Sequence, residues 1–299
     1  MDVEARLRRE GRAFNYDLRY VNRSPDFRTE SGFVNRTDMR VIMQDLWYNF
    51  WSESRWLSNI RPGLHLDKGW DSSRTGIFAS VNPAITIELR QPTTFTLYYV
   101  RWNDVLRPKD YPVLTQSQSH DEHAFGISAS TSYLRFLTLR AVLEKGSWLN
   151  YVPPVGRPPD LADITYGELG ASVRSARGLT VDNSYILLRL LNQDSGHAIF
   201  NSHTIRSKWN WQLSRELSLR FIAQYDALLA NPSLTSAKTR RDFNADFLIT
   251  YLLHPGTAVY VGYNSNLRRP GLPVGGPAPD RFVNDGRQLF VKVSYLFRF

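Results

Sequence analysis

The sequence predicts an all-β fold: a transmembrane antiparallel β-barrel of about 14–16 strands, with long extracellular loops and short periplasmic turns. Three observations predict it. The last segment alternates apolar and polar residues and closes on aromatics. The connections between candidate strands run long, short, long, short. Finally, the 299 residues combine many large rings with a polar average.

Within residues 288–299, Leu289, Val291, Val293, Tyr295, Phe297 and Phe299 alternate with Phe290, Lys292, Ser294, Leu296 and Arg298. A period of two puts the two sets on opposite faces of a strand. One face is wholly apolar; the other carries Lys292, Ser294 and Arg298, interrupted by Phe290 and Leu296. A strand that closes a membrane barrel meets lipid with its apolar face and places its terminal aromatic at the interface. The pattern resembles the C-terminal recognition strand of bacterial outer-membrane barrels. In that reading Tyr295, Phe297 and Phe299 form the signal read by the barrel assembly machinery.

Taken in order, residues 3–9 form a strand, Glu10-Gly11 a turn and 12–22 its partner, before a polar loop at 23–36. Residues 37–52 make a long aromatic-rich strand, joined through 53–55 to a strand at 56–70. Asp71-Ser72-Ser73 turns into 75–89, where Ile77, Ala79, Val81, Ile85, Ile87 and Leu89 form one apolar face. Gln91-Pro92 turns into 93–104, and a loop at 105–121 leads to a strand at about 122–131. A tight turn gives 134–148; Pro153, Pro154, Pro158 and Pro159 mark the next loop. Strands at 163–174 and 179–192 are joined by Ala176-Arg177-Gly178, and 193–196 connects to 197–213. Ser214-Arg215 turns into 216–230, a short loop reaches 241–253, and His254-Pro255-Gly256 turns into 257–267. A Pro/Gly-rich loop at 268–285 then reaches the final strand. Pro62 and Pro83 fall inside strands, where each removes a ladder donor, so a bulge or a shortened strand is expected there. The segments 37–52 and 179–192 do not alternate cleanly, and their pattern leaves the register open.

These connections distinguish two rims, as long extracellular loops and short periplasmic turns do. The count is about fifteen, whereas bacterial single-chain barrels are even-numbered. Either a preceding strand completes about sixteen or one segment here is miscounted and the number is about fourteen; the N-terminal segment favours the first. An upstream signal sequence is expected, because MDVEARLRREGRAF has no apolar core. Trp51, Trp56, Trp209, Trp211, Phe297 and Phe299 map to the short-turn rim, and Tyr20, Trp70, Trp102, Trp148 and Tyr151 to the other. Two aromatic girdles are expected of such barrels.

Composition agrees. Aromatics are 13% of the chain (8 Trp, 15 Tyr, 16 Phe), yet mean hydropathy is negative. That combination suits lipid-facing residues alternating with polar ones. No run of about 18 apolar residues exists, which excludes a helical span. Cysteine is absent, which removes disulfide frameworks and Cys-based metal sites. The net charge is +9, but the basic residues are scattered rather than clustered, which argues against nucleic acid.

A further likeness rests on specific residues. Ser24-Pro25-Asp26-Phe27 with Glu30-Ser31-Gly32-Phe33-Val34-Asn35-Arg36-Thr37-Asp38 resembles a signature of an uncharacterised family of C-terminal outer-membrane β-barrel domains. That domain-of-unknown-function family lies downstream of periplasmic carbohydrate-binding family-nine-like domains. Residues 217–225 (LSLRFIAQY), 259–264 (VYVGYN) and the closing 291–299 are also similar to it. The resemblance implies an outer-membrane location and a preceding periplasmic domain; it implies no settled activity.

The strongest enzymatic candidate is His120-Asp121-Glu122-His123, at the end of a long loop. Acid, base and His at an extracellular rim suit hydrolysis. Two His three apart would also grip a metal if one face held both rings, which a strand does not allow. His65, His197, His203 and His254 have no sequence-local nucleophile partner. The glycine-rich 271–276 lacks the Lys-Ser/Thr continuation of a phosphate loop. In the 23–38 loop, Asp26, Arg28, Arg36 and Asp38 are candidates to hold a ligand or constrict a lumen. If the face of Phe299 meets lipid, Lys292 and Arg298 point inward; Arg220, Gln224, Asp226, Asn244 and Asp246 line the lumen by the same alternation. Ion pairs between strands are expected among such residues.

The sequence therefore reads as a non-enzymatic outer-membrane barrel acting as a channel, uptake component or membrane anchor. The alternatives are a barrel hydrolase at the rim around 120–123 and a soluble β-rich carbohydrate module. Outer-membrane lipid and lipopolysaccharide are the expected surroundings, with a saccharide or other small solute as ligand. No cofactor and no metal is expected.

Overall fold

The structure, a computed structural model, describes residues 2–28, 37–254, 256–270 and 281–296. Its elements are β1 (Asp2–Arg9), β2 (Phe14–Arg23), β3 (Met39–Tyr48), β4 (Phe50–Trp51), β5 (Leu57–Trp70), β6 (Gly76–Leu89), β7 (Thr93–Leu106) and β8 (Gln118–Leu134). They continue with β9 (Leu137–Asn150), β10 (Asp160–Arg174), β11 (Leu179–Asn192), β12 (Ala198–Gln212), β13 (Leu217–Ala230), β14 (Arg240–His254), β15 (Thr257–Pro270) and β16 (Val283–Ser294). All sixteen belong to one sheet, in the order β1-β2-β3-β5 and then β6 to β16 in sequence. The two-residue β4 continues β3 beyond Asn49 and pairs with β5. Among the described residues there is no helix long and apolar enough to cross a membrane.

The connections alternate as expected. One set spans 10–13, 52–56, 90–92, 135–136, 175–178, 213–216 and 255–256; the other spans 24–38, 71–75, 107–117, 151–159, 193–197, 231–239 and 271–282. Two compact units make up the chain: Met1–Ala129 with Glu144–Ile164, and Ser130–Leu143 with Thr165–Phe299.

In the first unit, β5 and β6 show how the faces separate. Leu57, Ile60, Pro62, Leu64 and Leu66 pair with Leu89, Ile87, Ile85, Pro83 and Val81. The intervening pairs are Asn59 with Glu88, Arg61 with Thr86, His65 with Asn82 and Asp67 with Ser80. Period-two alternation makes the first set one apolar face and the second a polar one. Both prolines sit within continuous strands rather than at bulges. Pro83 has no N–H to give, and the β6–β7 ladder omits positions 82 and 83. Ile77 departs from its expected exposed face: it is fully buried at the end of β6. On the polar face the Phe78 ring stacks on Trp102 (4.9 Å, 14°) and covers Gly69, where a Cβ would meet that ring. Trp102 is therefore held by Phe78 rather than set in an outward girdle.

In the second unit the registers carry the same alternation across five strands. Trp209, Phe221, Phe247, Tyr263 and Leu289 form one cross-strand row over β12 to β16. Every member is exposed, from 39% for Phe247 to 71% for Leu289. Next to it runs Trp211, Leu219, Ile249, Val261 and Val291. The opposite face carries Lys208, Ile222, Asp246, Asn264 and Gln288 in one row and Arg206, Gln224, Asn244 and Asn266 in another. Gly262 repeats the glycine–aromatic device, since a Cβ there would enter the Phe290 ring on β16.

Exposed apolar rows on this scale distinguish the sheet from a soluble one. Hiding each such side chain from water is worth about 1.5–3 kcal/mol, and soluble monomers rarely leave contiguous patches of that kind uncovered. The buried apolar cluster is small: Leu106, Leu114 and Leu149, with Tyr111 and Leu161 against it. The fold class is thus all-β, one antiparallel sheet whose exposed apolar face is that of a transmembrane antiparallel β-barrel.

Several boundaries move. The expected 37–52 strand is broken at Asn49, whose amide bonds to Ala13 O at 2.9 Å. The strand expected at 122–131 begins earlier, at Gln118, so His120–His123 lies in β8 and not in a loop. The final strand runs Val283–Ser294 instead of 288–299. Its last paired residue is Ser294, opposite Ala258 of β15. Tyr295 follows the strand and is exposed; Phe297, Arg298 and Phe299 lie outside the described residues, as do Arg36 and the 271–276 segment.

Candidate functional site

The first unit holds a charged network where the 107–117 connection meets the 71–75 connection. Asp71 caps its own turn, accepting from the Ser73 hydroxyl (2.6 Å) and the Thr75 amide (2.9 Å). Its other oxygen receives Arg107 Nη1 at 2.8 Å and Lys109 Nζ at 3.3 Å. Arg107 Nε also donates to Asp110 at 2.8 Å. The Arg107 and Asp71 side chains are 6% and 5% exposed, so this ion pair is out of water. Lys109 reaches on to Asp38 at 2.9 Å, and Asp38 accepts from the Ser72 amide at 2.9 Å.

These contacts bias protonation. Hydrogen bonds from Ser72 and then Lys109 hold the Asp38 carboxyl far below the usual carboxylate range. Burial pushes Asp71 up, but the bonds from Ser73, Thr75 and Lys109 outweigh it and leave it lowered. The Asp38 bond, against burial, raises the Lys109 ammonium. Of the loop candidates, Asp38 therefore joins the network. Asp26 and Arg28 are exposed and take no part in it.

Beside the network, Tyr151 donates to Asp104 at 2.7 Å, and the Leu149 amide donates to Glu122 Oε2 at 2.9 Å. Glu122 is 3% exposed; its Oε1 and His120 Nε2 are buried with no hydrogen-bond partner among the described residues. Asp121 lies near Arg101 (3.7 Å) and accepts from Asn103 (3.2 Å), while His123 Nδ1 meets the Ser147 hydroxyl at 3.0 Å. Strand alternation puts His120 and Glu122 on one face and Asp121 and His123 on the other. The tetrapeptide is not brought together as a unit. Among the described residues no group of three or more His, Asp or Glu is placed to hold a metal ion.

A second constellation lies mid-strand. His65 Nδ1 is 2.6 Å from Asp45 Oδ1, and Nε2 is 2.8 Å from Asp67 Oδ2. With a carboxylate acceptor at each nitrogen, the imidazolium is the form that makes both bonds. Ser80 donates to the same Asp67 oxygen at 3.3 Å. In the sequence His65 has no local nucleophile partner. His65 and Asp67 share a face by spacing, a signal that was available; Asp45 arrives only through the β3–β5 register.

In the second unit the residues named from sequence share the polar face. Asp226 accepts from the Thr204 hydroxyl (2.7 Å) and from Gln224 (2.8 Å). Asn264 donates to Asp246, and Asn244 to Asn266. Lys292 lies 5.9 Å over the Tyr260 ring. Arg220 faces Asn210 and Leu248 in register. Asp226 and Asp246 make no ion pair among the described residues and accept from uncharged donors, since Asp226 faces Thr204 and Asp242 and Asp246 faces Ile222 and Asn264. Ion pairs between strands do occur elsewhere: Arg6–Asp17, Arg61–Glu88 (3.3 Å), Arg140–Glu168 (3.3 Å) and Arg268–Asp242 (2.8 Å).

No family model matches the chain, and no curated protein matches it. Among solved structures it is similar to outer-membrane expressed OmpT of Vibrio cholerae, at 9% identity and TM-score 0.37 over 97% of this chain and 99% of that one. An in-vitro folded OmpT of the same organism gives 9% identity and TM-score 0.39 over 99% and 94%. Its trimer form gives 10% and 0.36 over 98% and 99%.

Proposed function

We propose that this chain is a bacterial outer-membrane β-barrel that acts as a channel or uptake component, its apolar face against lipid and its polar face along a solute path. The observation that carries the reading is the five-strand exposed row Trp209, Phe221, Phe247, Tyr263 and Leu289, set back to back with Arg-, Asp- and Asn-bearing rows. Water disfavours the first face and hydrocarbon the second, so only a boundary between the two suits both. The Arg107–Asp71 network fixes the 107–117 connection at one mouth, where it restricts what enters. Arg220, Gln224, Asp226, Asn244, Asp246 and Lys292 line the path, and Tyr295, with Phe297 and Phe299 beyond it, serves the assembly machinery. The family resemblance supports a further role as membrane anchor for an upstream carbohydrate-linked domain, with a saccharide among the solutes.

Planar-bilayer conductance of the refolded chain tests the reading. Discrete conductance steps are expected; insertion without conductance would leave an anchor and no channel. The unpartnered His120 Nε2 and Glu122 Oε1 support one other reading, a hydrolase at the rim. In that case His120→Ala abolishes an ester or glycoside hydrolysis that the refolded chain otherwise shows.

A further inference from the structure

Most of the polar face of the second unit is internally satisfied. Gln224 with Asp226, Asn244 with Asn266, Asp246 with Asn264 and Arg268 with Asp242 each close a hydrogen bond. The stretch nearest the 175–178 and 213–216 turns differs. There a cavity of about 340 Å³ opens among β11 to β14, and Thr180, Asn210, Ser218, Arg220 and Thr250 line it. Among the described residues none of these five side chains has a hydrogen bond or ion pair from its own polar atoms, although register sets Asn210 directly beside Arg220 and Ser218 beside Thr250. Arg220 is exposed, and no carboxylate lines the cavity. The nearest acids by register, Asp182, Asp246 and Glu216, each lie one row from a lining residue and already accept from Ser172 (2.6 Å), Asn264 and the Ser214 hydroxyl (2.9 Å). Two more basic residues, Lys208 and Arg206, continue the face in successive rows and are likewise without an ion pair among the described residues.

We propose that this cavity binds the oxyanion group, carboxylate or phosphate, of a small solute. A guanidinium offers a planar fork that fits either group bidentately. Around it the hydroxyls and the Asn210 amide supply neutral donors, so that the anion is held without a competing negative charge. A cavity of this volume is at the small end of ordinary ligand sites. Beyond the Arg220 row the face is mixed, with Asp182 and Asp246 in the row of Lys208, so the selectivity for an anion rests on Arg220 itself. The assignment deepens the channel reading by naming a solute class, and it rests on the polar face being accessible to solvent.

The test uses the full chain refolded in detergent micelles, with heat-modifiable gel mobility as the folding check. Arginine Nε–H resonances are followed by NMR while inorganic phosphate, malonate or a neutral disaccharide is titrated at low ionic strength. A saturable shift with phosphate or malonate is expected, and none with the disaccharide; which anion saturates at lower concentration identifies the group preferred. Arg220→Gln should weaken binding about tenfold or more, the loss of a charge-assisted contact. Arg220→Lys, which keeps the charge and loses the fork, should fall between, and it decides the matter if the glutamine variant does not refold. Arg268→Gln, outside the cavity, should bind as the parent does. No saturable shift, or equal binding by parent and Arg220 variants, overturns the site. Bilayer conductance separates the two ideas: binding without conductance removes the channel and keeps the site, and conductance without binding does the reverse.

Discussion

Replacing Asp71 by Ala should open the 107–117 connection locally without unfolding the sheet. Asp71 is the one acceptor shared by Arg107, Lys109, Ser73 and the Thr75 amide. Removing one partner of a buried ion pair costs about 3–5 kcal/mol, most of it the stranded charge. Here Arg107 keeps Asp110 at 2.8 Å, so about 2–3 kcal/mol is the better figure. That corresponds to an about 30- to 150-fold rise in the open population. Trypsin reads it directly, because Lys109–Asp110 lies in the connection while Arg107 precedes Pro108 and resists cleavage. When reclosing outpaces cleavage, the cleavage rate tracks the open population. Arg107→Met leaves the Asp71 carboxylate behind, but Lys109, Ser73 and the Thr75 amide still donate to it, so this variant should be cut more slowly than Asp71→Ala. The decisive variant is the pair. Arg107→Met introduced into Asp71→Ala removes the stranded guanidinium and should slow cleavage again. If the double variant is cut as fast as Asp71→Ala, or if Asp71→Ala is cut no faster than the parent, the buried-pair reasoning is wrong.

Further expectations concern pH, packing and the two faces. Asp38 and Asp71 are held below the ordinary carboxylate range, so their contribution to loop stability is complete above that range and is lost as pH falls through their lowered values. Exchange protection of the Tyr111 and Leu114 amides, which bond to Arg107 O (2.9 Å) and Tyr111 O (3.0 Å), should thus hold at pH 5 to 7 and fall only below about pH 4; loss already at pH 6 would count against it. Gly262→Ala should lower unfolding stability by about 1–3 kcal/mol because its Cβ meets the Phe290 ring, and Phe290→Ala should relieve much of that, as a double-mutant cycle in denaturant would show. Phe247→Arg should impair refolding into lipid vesicles by about 2–4 kcal/mol, whereas Gln224→Arg on the other face should not.

The sequence made the fold legible where the period of two was clean. The final segment, 75–89 and 217–225 each divide into two faces, and the registers keep those faces across neighbouring strands. Strand ends were less legible, because pairing with the neighbouring strand and not the local pattern decides them: β16 ends at Ser294 and β3 at Tyr48. The charged sites were partly hidden for the same reason. Asp67 and His65 could be placed together by spacing, but Asp45 is 20 residues away and meets His65 only through the β3–β5 register. Arg107 and Asp71, 36 residues apart, carried no local signal at all.

The most direct measurement asks which residues of β13 touch lipid. The chain has no cysteine, so single cysteines placed one at a time from 217 to 226 accept a nitroxide label without competition. In lipid vesicles, collisions with oxygen should dominate at 217, 219, 221, 223 and 225, and collisions with a water-soluble nickel chelate at 218, 220, 222, 224 and 226, a strict period of two. Uniform accessibility to the nickel chelate along β13, or a label at 221 shielded from both reagents, would contradict a wall with hydrocarbon on one side and a charged path on the other.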